Sequence, residues 1–375
     1  MYHVRAGYDA EEPVQALSVS TNQEFAALAC RTHVRTCELS KSGITASQKF
    51  QLSAEGGANF IMTDVAWGIM DIERIAASAN NGSIVVFNGN GKFNRMAKQE
   101  WSARESTFAV NRINWHNSER LLISAHQNGE VKLWDISRQK QSCMKTYTAQ
   151  ANNFCKDAKF DPLHPHILAA IYESGFLVVW DRRNLDQVLH RIPAHTESGT
   201  TLAWSPSVEW VLATGSRDKT VKIWDLGSSP TEGYDAHHFM GGIPGAVPHR
   251  PINVIVTPGS VNRIAWRPHT DLQTQPSADL QRAPVRKHFH IATGTSDKGD
   301  VSVWDASSPS KMPACIMRGI VEGCVGLCWF DTPLPSPSGA PPAPKVSTSA
   351  TEERRPSYSS TFAAKFSGKS PKEVV

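Results

Sequence analysis

Short apolar runs that end in an aromatic residue recur along the chain at nearly constant spacing. In each repeat an early run ends in one aromatic residue and a later run ends in another, and in four repeats the two stand 19 or 20 residues apart. The early aromatic residues are Trp67, Trp115, Phe160, Trp204, Trp266 and Trp329. The closing aromatic residues are Phe87, Trp134, Trp180, Trp224 and Trp304. Nine of the 11 tryptophans fall on these two positions, so the spacing indicates a structural repeat.

The runs themselves predict β-strands. Val131–Trp134 and Val221–Trp224 are rich in β-branched residues and partly alternate between apolar and polar positions. Asn81-Gly82 and Asn128-Gly129 precede such runs, and Asn-Gly favours two-residue hairpins because both central residues need a positive φ. Three short strands with hairpin turns and a linking fourth strand form one propeller blade of about 40–45 residues.

The repeat therefore predicts an all-β fold, a β-propeller in which neighbouring blades bury each other's apolar faces. We expect seven blades, because a degraded first copy runs from Val14 to Leu39 and a seventh begins at Cys324–Trp329. No convincing strands follow Trp329, so the last blade is expected to be incomplete. A truncated chain explains this shortfall, with an open or six-bladed ring as the alternative. Tyr2–Tyr8 is a candidate outer strand for that blade, and Thr361–Phe366 is a weaker candidate strand.

The domain organisation follows from composition. The propeller is expected over residues 1–331, with inserted loops at 227–259 and 269–287. Residues 332–375 are rich in Ser and Pro and have neither strand nor helix period. Such a composition predicts a disordered C-terminal tail.

Charge and cysteine content narrow the classes of function. The chain has 39 basic and 35 acidic residues and no long block of one sign, which disfavours nucleic acid and anionic membrane surfaces as partners. Seven cysteines without any C-x-x-C spacing predict reduced thiols and a cytoplasmic protein. No apolar stretch approaches the roughly 20 residues that cross a bilayer. Any membrane contact is therefore expected to be indirect, through a complex.

No constellation of residues in the sequence supports catalysis. His288-x-His290 is the nearest approach to a pair of metal ligands, but neither Cys nor carboxylate pairs accompany it at ligand spacing. These two histidines are better explained as flanking the start of a strand. We therefore expect no catalytic residue, cofactor, metal or small-molecule substrate, and the protein is not expected to be an enzyme.

The repeat that spans Ala194 to Leu226 resembles a full WD repeat, since it opens with Ala-His and closes with Lys-Ile-Trp-Asp. The resemblance implies a structural, hydrogen-bonded tetrad typical of the WD-repeat family. Its members would be His195, Ser216, Asp218 and Trp224. A buried carboxylate needs hydrogen-bond donors, and imidazole, hydroxyl and indole N–H groups supply them.

Longer segments resemble one group of propellers more closely. Met70–Gly82, Val110–His116 and Val261–Pro268 are similar to the N-terminal propeller of the WD-repeat/RING-finger subunit of the SEA/GATOR complex. The resemblance covers residues 14 to about 331. It implies a scaffold that binds further propeller subunits at the cytosolic face of the lysosome or vacuole and relays amino-acid sufficiency to the TOR kinase, which affects autophagy. The two inserts and the lack of a RING finger in these 375 residues depart from the family pattern.

A four-residue motif leaves an alternative open. Trp180-Asp181-Arg182-Arg183 is similar to the WDxR signature of propellers that dock onto the adaptor of cullin–RING ubiquitin ligases. This likeness implies that Asp181 and Arg183 lie on the exposed face after the third strand of their blade. The same residues occur in WD repeats without this role. A substrate receptor of a cullin–RING ligase is therefore the alternative function, followed by a general chromatin or trafficking scaffold.

Overall fold

The computed structural model describes residues 7–10, 12–40, 43–51, 60–71, 73–88, 98–137, 143–149, 153–184, 188–227, 250–268, 290–297, 299–306, 312–317, 323–329 and 365–367. Every element of regular secondary structure within these ranges is a β-strand, as the repeat predicted. Among them there is no helix that is long and apolar enough to cross a membrane.

Strand β1 (Gly7–Asp9) comes first in the chain, and six four-stranded antiparallel sheets follow it. The first sheet contains β2 (Ala16–Val19), β3 (Phe25–Ala29), β4 (His33–Ser40) and β5 (Gly43–Gln51). The second contains β6 (Met62–Trp67), β7 (Arg74–Ala79), β8 (Ile84–Asn88) and β9 (Lys98–Ala103). The third contains β10 (Val110–Trp115), β11 (Leu121–His126), β12 (Glu130–Asp135) and β13 (Cys143–Thr148).

The remaining three sheets repeat the same order. The fourth contains β14 (Cys155–Phe160), β15 (Ile167–Tyr172), β16 (Phe176–Asp181) and β17 (Val188–Pro193). The fifth contains β18 (Gly199–Trp204), β19 (Val211–Ser216), β20 (Thr220–Asp225) and β21 (Asn253–Val256). The sixth contains β22 (Val261–Trp266), β23 (His290–Thr295), β24 (Val301–Asp305) and β25 (Cys315–Met317). Each sheet pairs its strands in chain order, which is the arrangement of a propeller blade.

The turns between the second and third strands are formed by the residues that the sequence indicated. Gly82 and Gly129 have φ values of 87° and 91°, a region that glycine enters without strain. The side chain of the preceding asparagine closes each turn: Asn81 Oδ1 accepts from Ser83 N at 3.0 Å, and Asn128 Oδ1 accepts from Glu130 N at 3.2 Å. These local bonds fix the hairpin register, which decides the face of the sheet on which each side chain lies.

Burial falls from the middle of each blade to its outer edge. All six residues of β7, β11, β15 and β23 are buried. The outer strands β13 and β17 instead alternate between exposed and more buried residues. Because both faces of the middle strands are covered, the core of the protein lies between neighbouring blades.

The early tryptophans bond the inner strand of one blade to that of the preceding blade. The indole N–H of Trp115 donates to Ala66 O at 3.0 Å, and that of Trp204 donates to Lys159 O at 3.2 Å. Trp266 makes the same bond one blade further, to Ala203 O at 2.8 Å. Each indole therefore fills the gap between blades and satisfies its own donor there.

The segment 323–329 lies at the inner position of a seventh blade. The Trp329 indole N–H donates to Ala265 O at 2.9 Å, which repeats the bond of Trp266 in the blade before. On its other side Gly326 lies against Leu17 of the first sheet, where a Cβ on the glycine would come within 2.5 Å of Leu17 Cβ. The ring therefore closes between the sixth and first blades through this segment. The described residues therefore contain six complete blades, and the seventh, which was expected to be incomplete, is represented by this segment alone.

Three predicted boundaries differ from the structure or lie outside it. Strand β21 falls inside the predicted insertion 227–259, because its four residues are too short a run to stand out beside a long polar segment. Strand β1 overlaps the predicted strand Tyr2–Tyr8, but it pairs in parallel with β26 (Lys365–Ser367) in a separate two-stranded sheet. The insertion 269–287 and, apart from β26, the predicted tail 332–375 lie outside the described residues.

Removing the large side chain of Trp224 should leave a cavity between two blades and so destabilise the ring. Trp224 is buried against the fourth and fifth blades, so we expect Trp224→Ala to lower the free energy of unfolding by about 3–5 kcal/mol. Urea unfolding monitored by circular dichroism measures this change. Leu189→Ala, at an exposed position on β17, is the control and should change stability by less than about 0.5 kcal/mol. Equal effects of the two substitutions would contradict the packing described here.

Candidate functional site

A buried hydrogen-bonded chain of four side chains lies in the fifth blade. His195 Nδ1 contacts Asp218 Oδ2 at 2.9 Å, and His195 Nε2 contacts Thr214 Oγ1 at 2.8 Å. The Trp224 indole N–H donates to the same hydroxyl at 2.9 Å. The chain runs from the loop before the inner strand, through the second strand, to the third strand. It therefore holds three parts of one blade together.

Thr214, and not Ser216, is the hydroxyl member of this chain. Ser216 lies two residues further along β19, where its Oγ donates to Ser198 O at 2.9 Å and accepts from Asp218 N at 3.1 Å. Both side chains lie on the same face of the strand because successive side chains alternate. Ser216 therefore supports the turn that carries Asp218, while Thr214 contacts His195 and Trp224.

Related bonds occur in two other blades. In the third blade the Trp134 indole donates to Ser124 Oγ at 2.8 Å, and this oxygen also contacts His126 Nε2 at 2.8 Å. In the sixth blade the Trp304 indole donates to Thr293 Oγ1 at 2.9 Å. The hydroxyl opposite the closing tryptophan is therefore a recurring feature. Of the closing aromatic residues, Phe87 and Trp180 are also buried but belong to blades without this bond among the described residues.

The electrostatics of these groups match a structural role. Burial favours a raised pKa for Asp218, but hydrogen bonds from His195 and Thr220 outweigh it and hold the pKa of this carboxyl well below its usual range. Burial also lowers the pKa of His126 to about 3. Asp218 is thus a bonded carboxylate and His126 a neutral imidazole at neutral pH, and both contribute to holding their blades together.

Polar side chains also recur at the third residue of five inner strands. The residues are Asp64, Arg112, Asp157, Thr201 and Arg263. Asp64 Oδ2 accepts from Ile113 N of the next blade at 3.0 Å, and Asp157 Oδ2 accepts from Leu202 N of the next blade at 3.1 Å. Burial raises the pKa of Asp64, which Arg112 opposes, and burial lowers the pKa of Arg263 to about 10. These carboxylates connect inner strands of adjacent blades.

Asp181 and Arg183 lie at the end of the third strand of the fourth blade. Arg183 Nη2 donates to Asp181 Oδ2 at 2.6 Å, and Arg183 Nε donates to Asp181 Oδ1 at 3.0 Å. These bonds lower the pKa of Asp181. These two hydrogen bonds hold the pair in a fixed geometry. The pair lies on the protein surface, because the Arg183 side chain is 67% exposed.

The outer strands of four successive blades each present an apolar side chain to solvent, at two different register positions. These side chains are Met144, Leu189, Val254 and Ile316, and their exposure lies between 41% and 44%. Single exposed apolar residues are normal on proteins. Met144 and Leu189 lie at a bulge beside the closing tryptophan of their blades. Val254 and Ile316 instead lie opposite the residue two places before the closing tryptophan, so the four side chains do not form one aligned row.

One group of potential metal ligands was missed by the sequence analysis. Glu12, Cys30 and His33 each offer one ligand atom, and these atoms lie within 4.8 Å of one another. The Cys-x-x-His spacing at 30–33 was the available signal. It could not be recognised from sequence because Glu12 comes from a separate segment. The sequence predicts that His288 and His290 flank the start of a strand. His290 is the first residue of β23, and His288 lies outside the described residues.

Two family models match parts of the chain. The model described as "WD domain, G-beta repeat" matches residues 186–225, and the "Anaphase-promoting complex subunit 4 WD40 domain" matches residues 67–156. The first match covers most of the fifth blade, which contains the hydrogen-bonded side chains from His195 to Trp224. The second covers parts of the second, third and fourth blades.

The chain is also similar to longer proteins. It is 27% identical over 321 residues to the GATOR2 complex protein WDR24 of Danio rerio, which covers 85% of this chain and 36% of that protein. It is 25% identical over 320 residues to the GATOR2 complex protein WDR24 of Homo sapiens, covering 85% of this chain and 35% of that protein. The chain thus spans about a third of the length of the curated relatives it matches.

A solved structure supports the fold alone. A chain of the structure titled "Crystal Structure of Mitotic Checkpoint Complex" superposes with a TM-score of 0.63 over 84% of each chain, at 15% sequence identity. At this identity the likeness establishes the propeller architecture and carries no functional information.

Removing the Thr214 hydroxyl, which lies between His195 and Trp224, should destabilise the protein more than removing an exposed threonine hydroxyl. We expect Thr214→Val to lower the free energy of unfolding by about 1–3 kcal/mol, because two buried polar groups lose their partner while side-chain volume is kept. Thermal or urea unfolding measures the change. Thr148→Val, on the exposed side of β13, is the matched control. No difference between the two variants would show that Thr214 does not connect the chain.

The neutral His126 predicts a loss of stability in acid. Its pKa falls from an ordinary value of 6.5 to about 3 in the folded protein, so below pH 6.5 the unfolded chain binds a proton that the folded chain excludes. This contribution to stability is complete above pH 6.5 and is lost as the pH falls towards 3, by up to about 1.4 kcal/mol per pH unit. Urea unfolding between pH 7 and pH 5 should show that the free energy of unfolding falls less steeply with decreasing pH in His126→Gln than in the wild type. The exposed control His166→Gln should keep the wild-type slope, and an unchanged slope for His126→Gln would refute this assignment.

Proposed function

Since the chain is a WD-repeat protein, we propose that it is a non-catalytic protein-interaction scaffold and a subunit of a multi-subunit complex of the SEA/GATOR type. Its partners are other proteins, in particular further propeller subunits. By way of this complex the protein relays amino-acid sufficiency to the TOR kinase and affects autophagy.

The observation that carries this proposal is the extent of the likeness to the WDR24 proteins. The match covers 85% of the chain, so it extends well beyond the single best-preserved repeat at 186–225. Degraded blades and inter-blade segments contribute to it as well as the blade with the hydrogen-bonded chain. A propeller that shared only the general WD pattern would be expected to match mainly at its best repeats.

The positions of the acids and bases support a scaffold over an enzyme. Asp218 is bonded to His195 and Thr220, and Asp157 is bonded to the backbone of Leu202. These groups hold strands or blades together, so their carboxylates are engaged in structural bonds. A general acid or base needs instead to reach a proton of a bound substrate.

The outer rim and the strand-end loops supply surfaces for partners. Exposed apolar side chains lie on the outer strands of four consecutive blades, and such positions suit contact with another protein. They are Met144, Leu189, Val254 and Ile316. A ring of this kind can hold several partners at once. Location at the cytosolic face of the lysosome or vacuole would follow from the complex, without direct membrane insertion by this chain.

Affinity purification of the tagged protein from its own cells tests the proposal. We expect recovery of further propeller subunits of a SEA/GATOR-type complex, and loss of the protein should alter phosphorylation of TOR-kinase substrates after amino-acid withdrawal. A Trp224→Ala variant, expressed at the same level, should lose these partners because its ring is destabilised. Recovery of no such subunit together with an unchanged TOR response would refute the proposal.

A second candidate function is a substrate receptor of a cullin–RING ubiquitin ligase. The observation that favours it is the exposed Arg183, which Asp181 holds in a fixed orientation at the end of β16. If the pair docks onto a cullin adaptor, Arg183→Ala should abolish recovery of that adaptor. Arg217→Ala, another exposed arginine on the following blade, is the matched control. Recovery of the adaptor by both variants, or by neither variant nor the wild type, would exclude docking through Arg183.

A further inference from the structure

Glu12, Cys30 and His33 form a compact group at the edge of the first blade. Cys30 follows β3 and His33 begins β4, and Cys30 N donates to His33 O at 2.9 Å across the two-residue turn between them. Residues that face each other across an antiparallel pair carry their side chains on the same face of the sheet. Glu12 reaches this face from the segment before β2, and its Oε2 lies 3.7 Å from His33 Nδ1.

The chemistry of the three side chains differs from that of a surface ion pair. Cys30 and His33 are both buried, and Glu12 is partly exposed. His33 Nε2 is buried without a hydrogen-bond partner among the described residues, which is costly for a polar atom. Thiolate, imidazole and carboxylate groups are each side-chain ligands that zinc binds in proteins. The other ring nitrogen, Nδ1, faces Glu12 Oε2 at 3.7 Å, so Nε2 gains a partner only from a ligand that reaches its own side of the ring.

We infer that Glu12, Cys30 and His33 bind one divalent transition-metal ion of the zinc type. The ligand atoms already lie within 4.8 Å of one another, whereas four-coordinate zinc with bonds of about 2.0–2.3 Å places its ligands roughly 3.5 Å apart. Side-chain rotations that move the ligand atoms by about 1 Å would bring them to the distances of a zinc site. A water would supply the fourth ligand of a tetrahedral ion.

Neighbouring charges orient the carboxylate. Lys49 Nζ lies 3.7 Å from Glu12 Oε1, while the other oxygen, Oε2, faces His33. One carboxylate oxygen can therefore keep its ion pair while the second binds the metal. Arg35, two residues after His33 on β4, donates to Ala10 O at 3.0 Å. With a thiolate and a carboxylate as ligands, a divalent ion makes the site neutral, and the thiol proton is released to solvent on binding.

The ion would connect the segment before β2 to the first hairpin, beside the closure of the ring. Cys30 belongs to an apolar cluster with Ala10 and Val14, and Val325 of the segment 323–329 packs against the same cluster. A metal at this point would thus stabilise the contact between the first blade and the segment that closes the ring. This inference does not depend on the proposed function.

Cobalt(II) titration of the reduced, metal-free full chain tests the site. We expect one equivalent of Co²⁺ to produce the d–d absorption of a tetrahedral ion and a thiolate-to-cobalt charge-transfer band, both abolished by added Zn²⁺. Zinc should also raise the melting temperature by at least about 3 °C, because an ion that binds only the folded state stabilises it. Absence of one-equivalent binding, or binding without the thiolate band, would overturn the inference.

Variants separate the site from adventitious binding. Glu12→Gln changes a partly exposed residue and should fold normally, yet weaken metal binding at least about tenfold. Cys30→Ser should remove the charge-transfer band, and His33→Gln should abolish binding. Cys143→Ser, which changes a half-buried cysteine of the third blade, is the matched control and should bind like the wild type. Unchanged binding by Glu12→Gln and Cys30→Ser, with circular dichroism showing intact folding, would assign the metal elsewhere and refute the site.

Discussion

The structure depends on the burial of blade surfaces against each other. A single four-stranded sheet of this kind has buried middle strands with apolar side chains on both faces, so it cannot be stable alone. Stacking around a ring covers each face with the next blade. The tryptophans of the inner strands lie in these contacts, and their indole donors are bonded to the carbonyl groups of the preceding blade. Ring geometry and side-chain hydrogen bonding therefore satisfy apolar and polar requirements at the same places.

Polar groups make this packing specific. Asp64 and Asp157 accept backbone N–H groups from the next blade, and Thr214 connects His195 with Trp224 inside a blade. Buried carboxylates without partners would be costly, so these bonds favour one register of each strand over its neighbours. The buried acids of the ring are thus engaged in bonds that hold strands and blades together. Side chains such as Arg183 and Val254 are exposed on the outer surface of the ring.

The sequence predicted the repeated architecture well because its signals are local. Aromatic spacing and the Asn-Gly turns at 81–82 and 128–129 lie within single blades, and the strands were placed accordingly. Features that need distant contacts were not predictable in the same way. Thr214 and Ser216 are both hydroxyl residues on one face of β19, and only the three-dimensional structure shows which one reaches His195. The four residues of β21 were hidden in a predicted loop, and Glu12 joins Cys30 and His33 only after folding.

Hydrogen–deuterium exchange of the second strand in every blade tests the central claim most directly. If each blade is stabilised by its neighbours, the amides of β3, β7, β11, β15, β19 and β23 should exchange slowly and lose protection together as urea is added. We expect one cooperative loss of protection across all six strands. A blade whose second strand exchanged early, while the others stayed protected, would contradict mutual stabilisation around the ring.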